Sequence, residues 1–322
     1  MSDFSVWQPT APLENLRRRA ALLADIRRFF SERQVLEMDV PILSRRATSD
    51  PHIDSITANC SGEPAYMATS PEFGLKRLVA AGIGDCYYLG KAFRNGEAGG
   101  RHNPEFSMLE WYRVGWDDHR LMIEVGELLS WVLRIPQVRS YSYRALFLQH
   151  VGLDPHRASF AELKDAVARV LELSFEPAGR DECLDLLMSH HIEPRMDGDG
   201  GDRITLVYDF PATQAALARV EVDELGVPVA RRFEAYVKGM ELANGYWELT
   251  DAPEQQRRFE ADHRFREAQG KPVYPFEERL VQALEAGLPN CAGVALGFDR
   301  LLMLACGARR IDEVIAFPID RA

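Results

Sequence analysis

The most chemically loaded stretch of this sequence is Phe93-Arg94-Asn95-Gly96-Glu97-Ala98-Gly99-Gly100-Arg101-His102-Asn103-Pro104-Glu105-Phe106. It sets two arginines and a histidine among flexible glycines between two alternating apolar runs, a composition suited to a loop that closes over a polyphosphate. A second group is Glu234, Glu241 and Glu248, spaced seven apart on apolar segments. Carboxylates there are costly unless something cationic sits between them. A third is Gly293-Val294-Ala295-Leu296-Gly297-Phe298-Asp299-Arg300. Its glycines let another group approach the backbone, and an arginine opens the helix that follows.

These groups need elements to carry them. Leu16, Ala20, Leu23, Ile26 and Phe30 recur at helical spacing and predict an amphipathic helix, followed by a short strand, Val35 to Val40, closed by Pro41. Alternation at Ala65–Thr69, Cys86–Leu89 and Phe106–Tyr112 predicts strands. A helix is expected from about Asp117 to Arg134, and another after Ser159, where Ser159-Phe160-Ala161-Glu162 reads as a capping box. Strands return at Ile204–Tyr208, Phe233–Gly239, Tyr246–Leu249 and Val294–Phe298. Strands that follow one another without regular crossover helices imply an α+β fold, an antiparallel sheet flanked by helices, with a helical insertion at about 150–200.

Composition narrows the functions. The formal charge of −11 over 322 residues argues against a protein that grips nucleic acid through phosphates. Arg17-Arg18-Arg19, Arg231-Arg232 and Arg309-Arg310 read as solvated faces. No apolar run approaches the roughly 20 residues that span a bilayer, and Met1-Ser2-Asp3 opens no signal peptide, so a cytoplasmic protein with no membrane partner is expected. The five cysteines include no Cys-x-x-Cys pair and read as buried thiols. The acidic turn Asp197–Asp202 lacks a calcium-loop register, and His190-His191 cannot face one metal from a helix.

In this order the first helix with the strand ending at Pro41, the stretch from Phe93-Arg94 through Tyr112, and Gly293 to Arg300 resemble motifs 1, 2 and 3 of class II aminoacyl-tRNA synthetases. Thr69-Ser70-Pro71-Glu72, Arg101 to Phe106 and Glu241 to Leu249 are specifically similar to the lysyl enzymes. The resemblance implies ATP and magnesium, a homodimer built on motif 1, and an amino acid activated as its adenylate. It puts Arg94 on the α-phosphate, with Asn95, Gly96 and Glu97 in the nucleotide loop. Phe106 and Arg300 would sandwich the adenine near Asn103, with Glu241, Leu242 and Gly297 also against the nucleotide. Glu234 and Glu241 would hold magnesium. Tyr112 and Glu248 would take a substrate ammonium in a pocket lined by Ser70, Pro71 and Glu72, with Ala295 on its floor where lysyl enzymes carry glycine. One position departs from the pattern. The usual Phe-Arg-x-Glu becomes Phe93-Arg94-Asn95-Gly96 with Glu97 only then following, so either Glu97 swings in to reach the adenine or that contact is made by backbone, and Gly96→Glu is expected to be tolerated or beneficial.

Motif 1 begins within the first forty residues, leaving no room for an N-terminal anticodon-binding barrel, so a single catalytic domain over 1–322 is expected. A truncated synthetase of this kind resembles the elongation factor P (R)-β-lysine ligase family. That implies activated (R)-β-lysine or lysine, and transfer to a lysine side chain of elongation factor P. The alternatives are an ordinary lysine–tRNA ligase, disfavoured because tRNA is an unlikely partner for this acidic chain, and a non-catalytic paralogue.

Overall fold

The alternating apolar runs become strands whose two faces do different work. The computed structural model describes residues 7–196 and 202–322, and its contacts divide the chain into two units, one ending at Gly115 and resuming at Thr250, the other running from Trp116 to Leu249. The first opens with helix α1 (Leu13–Glu32), the short strands β1 (Leu36–Glu37), β2 (Leu43–Ser44), β3 (Thr57–Cys60) and β4 (Glu63–Met67), helix α2 (Glu72–Ala80), and the long strands β5 (Cys86–Phe93) and β6 (Glu105–Val114).

The second unit contains α3 (Asp118–Leu133), β7 (Val138–Ser142), α4 (Tyr143–His150), α5 (Phe160–Val170), α6 (Arg180–Leu187), β8 (Ile204–Pro211), β9 (Val220–Val222), β10 (Pro228–Val237) and β11 (Met240–Trp247). Its strands run in the order β11-β10-β8-β7, with β9 on β10, and all pair antiparallel except β7 with β8. The capping box at Ser159 and Glu162 forms as expected. Helices α4 to α6 bury Phe147, Leu163, Leu184 and Leu187 against Val207 and Phe210 of β8. The predicted strand at Tyr246–Leu249 is displaced. The ladder begins at Met240 and ends at Trp247, because pairing with β10 carries Ala243-Asn244-Gly245 despite their weak strand preference. Of the acidic turn Asp197–Asp202, residues 197–201 lie outside the described residues, and Asp202 pairs with Lys238 at 3.0 Å.

Returning to the first unit, the chain adds α7 (Ala252–Ala268), α8 (Glu278–Gly287), β12 (Cys291–Gly297) and α9 (Phe298–Cys306). Here the order is β1-β5-β6-β12, with β1 parallel to β5 and the other pairs antiparallel, while β2, β4 and β3 form a small separate sheet. One face of β6 points Ser107, Leu109 and Trp111 toward α1 and α9. Trp111 is fully buried against Phe30, ring centroids 5.3 Å apart, and Phe30 stacks on Tyr87 at 4.5 Å. Burial on this scale contributes about 1.5–3 kcal/mol per large apolar side chain. The inward face of α1 is Leu22, Ile26, Phe29 and Phe30. Ala20, expected on that face, is exposed.

Two of the three arginine groups are not wholly solvated faces, although Arg17 and Arg18 are exposed. Arg19 binds Asp299 and Ser107 inside the first unit. Arg231 bridges Asp118 at 2.9 Å and Asp209 at 2.8 Å, while Arg232 holds Glu234 at 2.5 Å. A guanidinium matches carboxylate geometry and tolerates burial when its donors are satisfied, so adjacent arginines alone do not distinguish surface from core. Arg310 does stay exposed, beside Asp312. Among the described residues no helix is long and apolar enough to cross a membrane.

Candidate active site

The opposite face of β6 carries Phe106, Met108, Glu110 and Tyr112, because side chains along a strand alternate. Register places Gly297, Ala295 and Gly293 of β12 across from Met108, Glu110 and Tyr112. On the other side, Tyr88 and Gly90 of β5 lie across from Glu110 and Met108. On the β12 side small residues therefore leave a low floor beside Glu110 and Tyr112, while on the β5 side the Tyr88 ring covers Gly90.

Glu110 is the carboxyl that sequence reasoning missed. It is buried, accepts a hydrogen bond from the Ser70 hydroxyl at 2.6 Å and another from the Tyr112 phenol at 2.8 Å, and lies opposite Ala295. Burial first, and the like charge of Glu72 second, push its pKa up to about 8, against the pull of the Ser70 and Tyr112 hydrogen bonds and of Lys76. A carboxyl in this state is neutral until a cation arrives, and an approaching ammonium draws the proton off. The signal was present in the sequence: two-residue periodicity puts Glu110 on the same face as Tyr112. Ser70 also accepts from the Glu72 amide at 3.0 Å, at the turn where buried Pro71 caps α2. Glu72 does not stand alone, since the buried Lys76 ammonium donates to it at 2.5 Å.

The loop between β5 and β6 is shaped by its backbone. Arg94 N–H donates to the Pro104 carbonyl at 2.9 Å and Asn95 N–H to Asp54 at 2.8 Å, while Gly96 takes φ +76°. The latter reverses one expectation. A side chain at Gly96 would sit in the left-handed region that L-residues avoid, so Gly96→Glu is not tolerated without strain. Glu97 lies 3.6 Å from the Arg94 guanidinium. That guanidinium lies 5.2 Å from the Phe106 ring centroid, and its Nε is buried with no hydrogen-bond partner among the described residues. An unsatisfied charged donor is costly, and an anionic oxygen would relieve it.

At the head of α9, Arg300 meets His102 Nε2 at 2.5 Å. Partial desolvation first and the Arg300 cation second lower the His102 pKa from its usual value, leaving a neutral ring able to accept. His102 was noticed in the sequence only as part of the loop. A Cβ at Gly297 would make ordinary contact with the Arg300 stem. Asn103 is buried and engaged by the chain itself, donating to the Glu105 carbonyl at 2.6 Å and accepting from Ile319 N–H at 3.0 Å.

In the second unit, Glu234 on β10 lies across from Asn244, and Tyr236 across from Glu241 on β11, on either side of a register shift. The cation anticipated among these glutamates is at least in part Arg232, 2.5 Å from Glu234, which also accepts from the Tyr236 phenol. Leu242 is buried. Glu248 follows the end of β11, fully buried, its carbonyl accepting from Arg219 at 3.2 Å. Among the described residues no three His, Cys, Asp or Glu side chains converge on a possible metal position. The pair Glu234 and Glu241 suits magnesium in its phosphate-bound form, where nucleotide and water supply most of the oxygens.

Antiparallel pairing, a β12-to-α9 turn ending in Arg300, and an arginine-bearing loop between β5 and β6 are the parts of a class II synthetase. Residues 8–321 match the family model of tRNA synthetases class II (D, K and N), and the chain belongs to that family. Over the whole length of both chains it is 47% identical to proteins named elongation factor P–(R)-β-lysine ligase from Yersinia enterocolitica and Klebsiella pneumoniae, and 46% identical to one from Salmonella typhi.

Proposed function

We propose that this chain is an ATP-dependent ligase that activates (R)-β-lysine as an adenylate and transfers it to a lysine side chain of elongation factor P. The observation that carries the reading is the buried carboxyl of Glu110, held by Ser70 and Tyr112 opposite Ala295, in a chain that matches ligases of that name from end to end. An acidic pocket of this kind selects a cationic side chain.

In the first step a carboxylate oxygen of the amino acid attacks the α-phosphorus of ATP and pyrophosphate leaves. Arg94 stabilises the charge that develops on the α-phosphate oxygens, its unsatisfied Nε donating there. Phe106 and Arg300 hold the adenine by stacking and cation–π contact, with Asn95, Gly96, Glu97, Asn103 and Gly297 placed against the nucleotide. Glu234 and Glu241 would hold magnesium, a hard cation that prefers carboxylate oxygen. Glu110, with Tyr112, Ser70, Pro71 and Glu72, receives the ammonium. In the second step an uncharged lysine amine on the acceptor attacks the adenylate carbonyl, AMP leaves, and an amide forms. The working form is proposed to be a cytoplasmic homodimer.

The test is acceptor choice. Enzyme, ATP and labelled β-lysine are incubated with either purified elongation factor P or total tRNA, and label transfer is measured. Label on the factor is expected. Label on tRNA and none on the factor would replace this reading by lysine–tRNA ligation, and no amino-acid-dependent pyrophosphate exchange at all would leave a non-catalytic paralogue.

A further inference from the structure

We infer that Arg19, on the first helix, is a positioning residue for nucleotide binding, and that it acts on Phe106 and Arg300 together. Its guanidinium is mostly enclosed and spends its donors on two elements. Nη1 donates to Asp299 Oδ1 at 2.5 Å and to the Val314 carbonyl at 3.3 Å, and Nη2 donates to the Ser107 hydroxyl at 2.5 Å. Its Cζ lies 5.0 Å from the Phe298 ring centroid. Asp299 closes the circuit, since its other oxygen accepts from the Ser107 amide at 2.7 Å. Ser107 and Asp299 are the chain neighbours of Phe106 and Arg300. One ion pair therefore fixes the backbone beneath both aromatic and cationic partners of the proposed adenine contact.

The chemistry favours positioning over simple adhesion. Asp299 lies in the first turn of α9, where its charge suits the helix N-terminus, and it needs Arg19 because a buried carboxylate without a cation is unfavourable. Ser107 points to the α1 side of β6 while Phe106 points to the other, so any shift of Ser107 toward a lost partner tilts Phe106 in the opposite sense. A misplacement of this size changes affinity for the ligand that touches the displaced groups and leaves the amino-acid pocket at Glu110 in place.

The inference rests on the nucleotide reading above, so its test separates the two. Arg19→Met keeps the bulk of the side chain and removes the charge, Arg19→Lys restores a charge without the fork, and Ser107→Ala removes only the Nη2 contact. Each is measured for KM of ATP, KM of the amino acid, kcat in pyrophosphate exchange, and thermal midpoint. The expected result for Arg19→Met is roughly a tenfold rise in KM for ATP, the scale of one hydrogen bond to a charged group, with KM for the amino acid within about twofold. Arg19→Lys should recover part of it, and Ser107→Ala should show a smaller rise in the same direction. Binding of a non-hydrolysable ATP analogue to Arg300→Ala and to Arg19→Met/Arg300→Ala should then differ by less than the effect of Arg19→Met alone, as coupled residues require. A lowered thermal midpoint with both KM values unchanged, or with both raised equally, overturns the inference and leaves Arg19 structural. If Arg19→Met does not fold, Ser107→Ala decides: an unchanged KM for ATP overturns the inference. If instead Arg300→Ala binds nucleotide normally, the nucleotide reading itself fails.

Discussion

Ala295 stands directly across the β6–β12 ladder from Glu110. Residues so paired have Cβ atoms roughly 4.5–5.5 Å apart, so the methyl of Ala295 occupies space beside the carboxyl proposed to receive the substrate. A methyl there crowds an α-amino group and spares one displaced to the β-carbon. Ala295→Gly is expected to shift preference toward α-lysine, within the roughly 10- to 200-fold that one methyl can supply. Parallel pyrophosphate exchange with the two amino acids measures the ratio, and an unchanged ratio removes Ala295 from specificity.

The raised pKa of Glu110, about 8, has two consequences whose signs can be worked out. Without substrate, the folded state holds this proton more tightly than the unfolded chain, so the stabilisation is fully present below about pH 4.5 and is lost as pH rises through about 8. Glu110→Gln should lose that dependence, its thermal midpoint gaining on the parent as pH goes from 5 to 9. Substrate runs the other way. Only ionised Glu110 attracts an ammonium, so KM for the amino acid should fall with rising pH and level off above about 8. A parent enzyme whose KM shows no such trend, or a Glu110→Gln variant that retains it, would assign the pH response elsewhere.

Gly96 supplies a stability prediction. Because its φ is +76°, Gly96→Ala or Gly96→Glu should cost about 1–2 kcal/mol, read by denaturant unfolding, and should raise KM for ATP by loosening the Arg94 loop. Full stability with an unchanged KM would mean that the loop simply relaxes. Glu97→Ala should likewise raise KM for ATP if Glu97 reaches the adenine. An unchanged value would leave Glu97 as the partner of Arg94 alone, 3.6 Å away.

Glu241→Gln and Arg300→Ala are expected to abolish adenylate formation while leaving thermal midpoints within about 2 °C of the parent, since both are proposed to stabilise bound phosphate and nucleotide rather than the fold. Single-turnover assays with both substrates saturating are the measurement. Near-parental rates in both variants would dissolve the assignment.

Much of this arrangement can be read from local pattern, and most of the exceptions share a cause. Strands β5, β6 and β12 follow from alternation, and the capping box at Ser159 from four consecutive residues. What local pattern cannot report is the partner of a charge. Arg19 reads as one of three solvated arginines until α9 brings Asp299 to it. Arg231 and Arg232 read as a surface pair until β8 and α3 supply Asp209 and Asp118, and Glu234 takes the second guanidinium. Glu110 has the same character. Its sequence neighbours, Leu109 and Trp111, advertise a core strand, and only Ser70, forty positions earlier, reveals that a carboxyl is held there. The Gly96 turn was misread for a different reason: comparison with a motif supplies residue types, whereas the sign of φ is a property of the folded loop.

The ties between α1 and the last stretch of the chain also bear on synthesis. Asn15 donates to the Glu313 carbonyl across 298 positions, and Arg19 reaches Asp299 across 280. Closing a loop of that length costs about 5 kcal/mol of chain entropy on the (3/2)RT ln n scaling, so contacts of this kind form late and only in company with others. As the ribosome extends the chain, residues 116–249 emerge complete while α1 still lacks its partners at Asp299 and Glu313. The nascent protein can thus acquire its second unit early, yet the backbone beneath Phe106 and Arg300 stays unpinned until the residues around Val314 have left the exit tunnel.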